Sequence, residues 1–171
     1  MSRRVMAVFL VPFCILLTGC NRSKVTAQPL AVDFTCTFRA QYKELVAGGT
    51  LTRGTAGTLS LDFTQPQTLD GVGADWDGES VKLRYMGVTF KADESAIPES
   101  ALGEQLVKTF DAALRQEGTR EQENGKITVT GTANNAAYTY VYDAQTGHPL
   151  SLSVPSLPLT VTFSDVHTQS P

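Results

Sequence analysis

Histidine and cysteine are scarce in this 171-residue chain, which has two of the first and three of the second. His148 follows a glycine turn and His167 lies close to the C-terminus, so the pair reads as turn and surface residues rather than a catalytic dyad or metal site. Acidic residues do crowd one loop, at Asp70, Asp75, Asp77 and Glu79. A calcium loop of the EF-hand type needs glycine sixth and glutamate twelfth from its first aspartate. Counted from Asp75, Gly78 is fourth and Met86 twelfth, so the loop reads as a solvated hairpin. The chain also lacks G-x-S-x-G, a P-loop and H-E-x-x-H, which argues against catalysis by those routes. It has no run of Lys or Arg and no basic aromatic ribbon, which argues against a nucleic-acid partner. No period of 20 to 50 residues repeats, which disfavours a propeller or solenoid.

A long hydrophobic run occurs once, at the start. Arg3 and Arg4 precede an apolar stretch from Val5 to Leu17, the layout of a secretory signal. It is too short to span a bilayer comfortably, since a transmembrane helix needs about 20 apolar residues. The run closes on Leu17-Thr18-Gly19-Cys20, which closely resembles the lipobox of bacterial lipoproteins. That resemblance implies cleavage after residue 19, a diacylglycerol on the Cys20 thiol, palmitate-type acyl chains (with an N-acyl group where the organism adds one), and a place on the extracytoplasmic face of the cell membrane. If there is an outer membrane, Asn21 is not the aspartate associated with inner-membrane retention. Two or more acyl chains make a durable anchor where one is marginal. No other cofactor is expected.

Without residues 1–19 the chain keeps 12 Lys and Arg against 17 Asp and Glu, a net charge of −5. Cys36 is then the one cysteine left beside Cys20, so no internal disulfide is available, and it reads as a small buried hydrophobe. Residues 20–31 read as a lipidated N-terminus and linker, 32–167 as one domain, and 168–171 as a tail.

From Val32 onward the pattern is β. "DFTCTFRAQY" alternates Phe34, Cys36, Phe38, Ala40 and Tyr42 against Thr35, Thr37, Arg39 and Gln41, the period of a strand with one face covered. A shorter strand is expected around Thr50 to Arg53, and "GTLSLDF" continues with Leu59, Leu61 and Phe63. A hairpin around Asp77-Gly78 leads to strands through Val81, Leu83 and Tyr85 and through Val88 and Phe90. "KITVTGTA", "AYTYVYD", "PLSLSV" and "LTVTFSDV" complete nine or ten strands. Between them, Leu102, Leu106, Val107, Phe110 and Leu114 recur at helical spacing behind Ser100 and end at Gly118, which predicts one amphipathic helix. The expected fold is therefore mainly β with a helix (α+β), a curved antiparallel half-barrel packed around that helix.

This order of elements, from "GTLSLDFTQP" and "WDGESVKLRYMG" through the helical insertion to "YVYDAQTGHPLSLSV" and "LTVTFSDV", resembles the LolA/LolB-like superfamily of bacterial envelope proteins. That superfamily includes lipoprotein carriers, mycobacterial lipid-binding lipoproteins and the RseB type of sensor domain. The resemblance implies a half-barrel whose hydrophobic cavity binds acyl chains. Candidate lining residues are Phe34, Phe38, Leu59, Leu61, Phe63, Leu83, Tyr85 and Phe90 from strands, and Leu102, Leu106 and Phe110 from the helix. Two non-enzymatic functions follow. One is a membrane-anchored lipoprotein that accepts or presents an acyl chain or lipid. The other is an anchored interaction or sensing module with a dry core, in which Tyr138, Tyr140 and Tyr142 would meet another envelope protein if they face outward.

Overall fold

The computed structural model describes residues 28–54, 56–77, 80–91, 112, 117–133 and 135–168. The strands are β1 (Phe34–Tyr42), β2 (Leu45–Arg53), β3 (Leu59–Gln65), β4 (Val72–Trp76), β5 (Val81–Tyr85), β6 (Val88–Lys91), β7 (Thr119–Glu123), β8 (Lys126–Ala133), β9 (Ala136–Asp143), β10 (Pro149–Val154) and β11 (Leu159–Thr168). A single 3-10 turn, Gln67–Leu69, joins β3 to β4.

All eleven strands belong to one sheet, in the order β6-β5-β4-β3-β2-β1-β11-β10-β9-β8-β7. Every pairing is antiparallel. The edge strands β6 and β7 do not pair with each other, so the sheet is open. The α+β expectation, a half-barrel packed around an amphipathic helix, is overturned by this single sheet. No helix beyond the 3-10 turn is an element of the described residues. Leu102, Leu106 and Phe110, whose spacing suggested the helix, lie outside the described residues, as do Val107, Leu114 and residues 1–27 with Cys20. The physical reason for the difference is that local periodicity reports amphipathicity, whereas the architecture of the described residues is carried by ladder pairing between strands.

Sequence patterning located most strands but misjudged two. β2 starts at Leu45 and is as long as β1, pairing from Tyr42↔Leu45 to Phe34↔Arg53. Its small residues Ala47, Gly48 and Gly49 hide the alternation. β7, "TREQE", is exposed along its length and carries no apolar residue at all, so nothing in its sequence announces a strand. The first and last strands of the described residues meet inside this open sheet: β1 pairs β11, with Phe38 opposite Phe163 and Tyr42 opposite Leu159. His167 is part of that pairing, opposite Thr35, rather than in a loose tail.

Alternation sends one set of side chains to a common apolar face. Phe34, Phe38, Leu51, Leu61, Tyr138, Tyr140, Tyr142, Leu152 and Val161 are all buried there. The other face is rich in hydroxyl and charged groups, among them Thr37, Arg39, Thr50, Asp62 and Thr162, all exposed. On the stretch before β1, Gln28 donates its backbone N–H to the Ala144 carbonyl (2.9 Å) and Ala31 to that of Gly147 (3.0 Å), and Leu30 is buried in the core. Between the two edge strands, Ala112 is also buried in the core, and its carbonyl accepts the Glu117 N–H at 3.0 Å.

Candidate ligand-binding face

The apolar face is built from rows of side chains crossing the sheet. Phe38 on β1 and Phe63 on β3 meet edge to face, 5.7 Å between ring centroids. They can do so because the residue between them on β2 is Gly49. A Cβ there would lie 1.9 Å from the Asp62 carbonyl oxygen, so only glycine lets β2 and β3 come this close.

Three strands away, β9 contributes Tyr138, Tyr140 and Tyr142. Gly131 lies opposite Tyr138 on β8 and leaves room for the phenol, which donates to the Glu117 carbonyl at 2.8 Å. Tyr142 accepts a hydrogen bond from Arg120 of β7, whose guanidinium sits 5.8 Å from the ring centroid. Tyr140 and Tyr142 stack obliquely, 6.1 Å apart. The tyrosines are therefore core, and the idea that they form an outward recognition surface is overturned by their burial.

Arg53 is the one buried charged residue among those described. It closes β2 between Phe34 and Leu59 on the neighbouring strands. Burial raises the Tyr140 phenol well above its ordinary pKa; the nearby Cys36 adds to that and the positive charge of Arg53 opposes it. Tyr140 and Arg53 are four strand spacings apart in the sheet order, roughly 19 Å across a flat sheet. The influence of the Arg53 charge on Tyr140 fits a sheet that bends toward its apolar face. Burial likewise pushes the Cys36 thiol up to about 12, which makes it an inert core group rather than a nucleophile.

The strand residues predicted to line a cavity separate into two groups. Phe34, Phe38, Leu59, Leu61 and Phe63 are buried together on this face. Leu83 packs against the core but is only partly covered, and Tyr85 is 46% exposed. Phe90 pairs with Leu83 in β6, while Cys20, Leu102, Leu106 and Phe110 fall outside the described residues. Sequence reasoning missed Arg53, Trp76, Leu152, Val161 and Phe163 as members of the same buried set. Alternation in "TLTR" and "PLSLSV" was the signal available for Arg53 and Leu152.

The opposite face holds an ion-pair network. Arg84 donates to Asp75 (2.5 Å from Nε) and Asp62 (2.8 Å), and Ser60 donates to Asp75 at 2.6 Å. The guanidinium lies across Gly73, where a Cβ would come 2.7 Å from its central carbon. Partial burial works to raise the Asp75 pKa, but the hydrogen bonds from Arg84 and Ser60, with the charges of Arg84 and Lys82, hold it below the usual carboxylate range. Asp77 pairs with Lys82 at 3.0 Å. An open hollow of about 510 Å³ lies beside this network, with Asp33, Thr52, Thr58 and Trp76 in its wall. Among the described residues, no three His, Cys, Asp or Glu side chains are placed to hold a metal.

No protein-family model matches the chain, and no curated protein matches it. Solved structures do. An uncharacterized conserved protein from Thermus thermophilus is similar with a TM-score of 0.47 and 11% identity, over 83% of this chain and 82% of the other. A LolA superfamily protein from Nitrosomonas europaea is similar with a TM-score of 0.40 and 8% identity, over 86% of this chain and 90% of the other.

Proposed function

We propose that the apolar face binds a hydrophobic ligand, an acyl chain or lipid, in a protein held at the extracytoplasmic face of a membrane by acylated Cys20. One observation carries the ligand reading: the apolar face does not end where its cover ends. From the buried Phe38 and Phe63 the same face continues through Ala74 and the partly covered Leu83 to exposed Tyr85 and Val88. A core that served stability alone would bury its large side chains or replace them with polar ones at the margin. Hydrophobic transfer, at about 25 cal/mol per Å² of apolar surface removed from water, would supply affinity. The role is acceptance or presentation of lipid, without catalysis.

The test is binding of a fluorescent fatty-acid or phospholipid probe to the purified protein, with native mass spectrometry for copurifying lipid. Saturation at about one probe per molecule is expected, as for a single formed pocket. No binding and no copurifying lipid would leave a dry core. The anchor is tested separately: Cys20→Ser should abolish incorporation of a labelled fatty acid, and incorporation at the wild-type level would refute it.

A further inference from the structure

Two hairpins in this sheet turn with the same backbone. The β5–β6 hairpin passes through Met86 and Gly87 with φ of 48° and 79°, and the β7–β8 hairpin through Asn124 and Gly125 with φ of 50° and 76°. Positive φ at both central residues is the tight-turn geometry that favours Asn, Asp or Gly at its first position. Asn124 obeys that preference. Met86 breaks it, placing a long side chain in a left-handed conformation that is unfavourable for such residues. Packing does not compensate, because Met86 is 81% exposed. A local rule broken without a gain in the folded state marks a position kept for something else.

The surroundings say what. Tyr85 and Val88 face each other across the foot of this hairpin and are exposed. The β1–β2 turn, at the same end of the sheet, exposes Leu45 and Val46 beside Lys43, whose ammonium sits 5.2 Å from the Tyr42 ring centroid. Apart from Val32, these are all the large apolar side chains exposed among the described residues. The turns at the opposite end are polar: Asn124-Gly125, and the Asp143–Thr146 turn in which the Asp143 carboxylate accepts the backbone N–H groups of Gln145 and Thr146.

We infer that the Tyr85–Val88 tip is a membrane-contact element that enters the interfacial layer of a lipid bilayer, with the Leu45–Val46 turn as a second point of contact. A flexible Met at the apex, an apolar Val and a Tyr whose hydroxyl can stay at headgroup depth are the chemistry of that layer. Lys43 adds a cation for anionic headgroups. A protein pocket could take the Met86 apex alone. The two tips are three strands apart, roughly 14 Å across the sheet, and a continuous lipid surface accommodates both. This inference rests on the turn geometry and its exposure, and holds whether or not the apolar face carries a ligand.

The matched hairpin supplies the control. The full chain, as Met86→Trp or as Asn124→Trp, would be reconstituted into phosphatidylcholine–phosphatidylglycerol vesicles with brominated acyl chains, and the buried Trp76 background subtracted. Trp at 86 should shift to the blue and be quenched by bromine; Trp at 124 should stay red and unquenched. Equal quenching at the two positions, or none at 86, would overturn the inference. A blue shift at 86 without bromine quenching would also overturn it, by pointing to a protein pocket. As a second measurement, adding Met86→Asn to a Tyr85→Trp reporter should reduce quenching while the melting temperature holds or rises, because Asn suits the turn. Unchanged quenching in that variant counts against the inference.

Discussion

Tyr140 and Tyr85 lie on the same face of one sheet and meet opposite fates. Tyr140, on β9 with two further strands between it and the nearer side of the sheet, is 0% exposed, and its neighbours Tyr138 and Tyr142 are as deeply buried. Tyr85, on β5 one strand from the edge, is 46% exposed. The difference is one of position: side-chain parity assigns a residue to a face, while its strand's place in the sheet decides whether anything lies over it. The two edges extend the contrast. β7 is a run of polar and charged residues, Thr119–Glu123, of the kind that discourages pairing with another chain. The β5–β6 margin instead exposes Tyr85, Met86 and Val88. One side of the molecule is finished against contact, and the other presents it.

The largest effect should come from a charge placed at each end of this contrast. Leu61→Asp puts a carboxylate at a fully buried position and should cost several kcal/mol. Val88→Asp at the margin should change stability by no more than about 0.5 kcal/mol. Urea unfolding measures both, and similar shifts would mean that the two regions do not differ as described. A milder probe of the buried region is Leu61→Trp. If the face is a dry core, overpacking should cost about 1 to 3 kcal/mol. If it holds a ligand, the added ring should fill that volume and weaken probe binding with the melting temperature held.

Thiol labelling sharpens the comparison without perturbing stability. In a chain with Cys14→Ser and Cys20→Ser, Cys36 should resist a thiol reagent at pH 8, since burial holds its pKa at about 12. Tyr85→Cys in the same background should react at once. Rapid labelling of native Cys36 would show the middle of the sheet to be open.

The smallest effect belongs to the outer face. A carboxylate whose folded pKa is depressed contributes stability above its unfolded value of about 3.9 and loses that contribution as pH falls through the folded value. Asp75 is such a group. Its side chain is 36% exposed, so solvent screening limits the contribution to less than about 1 kcal/mol. Arg84→Met should flatten the acid limb of the stability curve by that amount, and an unchanged limb would remove Asp75 from the account.

The strands that were legible beforehand share one trait, an apolar residue at every second position, as in Phe34, Cys36 and Phe38 or in Leu59, Leu61 and Phe63. β7 was illegible because an exposed edge strand needs no apolar face, and the extent of β2 was obscured by small residues whose role is close approach. The helical spacing around Leu102 to Phe110 was a statement about amphipathicity, and the sheet, not a central helix, organises the described fold. For the candidate site, alternation put Phe34, Phe38, Leu59, Leu61 and Phe63 on one face, as the structure has them. It could not separate them from Tyr85, which shares their parity and lacks their cover.

What the sequence determined by itself is local: where the alternating strands run, which side chains share a face, and that Gly147 sits in a turn. These follow from a two-residue period and from the φ range open to glycine. Tertiary structure alone decided that β1 pairs β11 across the length of the chain, that Arg53 and Tyr140 come within electrostatic reach, and that Met86 stands unpacked at a tip. Each of these depends on partners remote in sequence. The pattern along a strand states which residues avoid water, but only the fold determines what covers them.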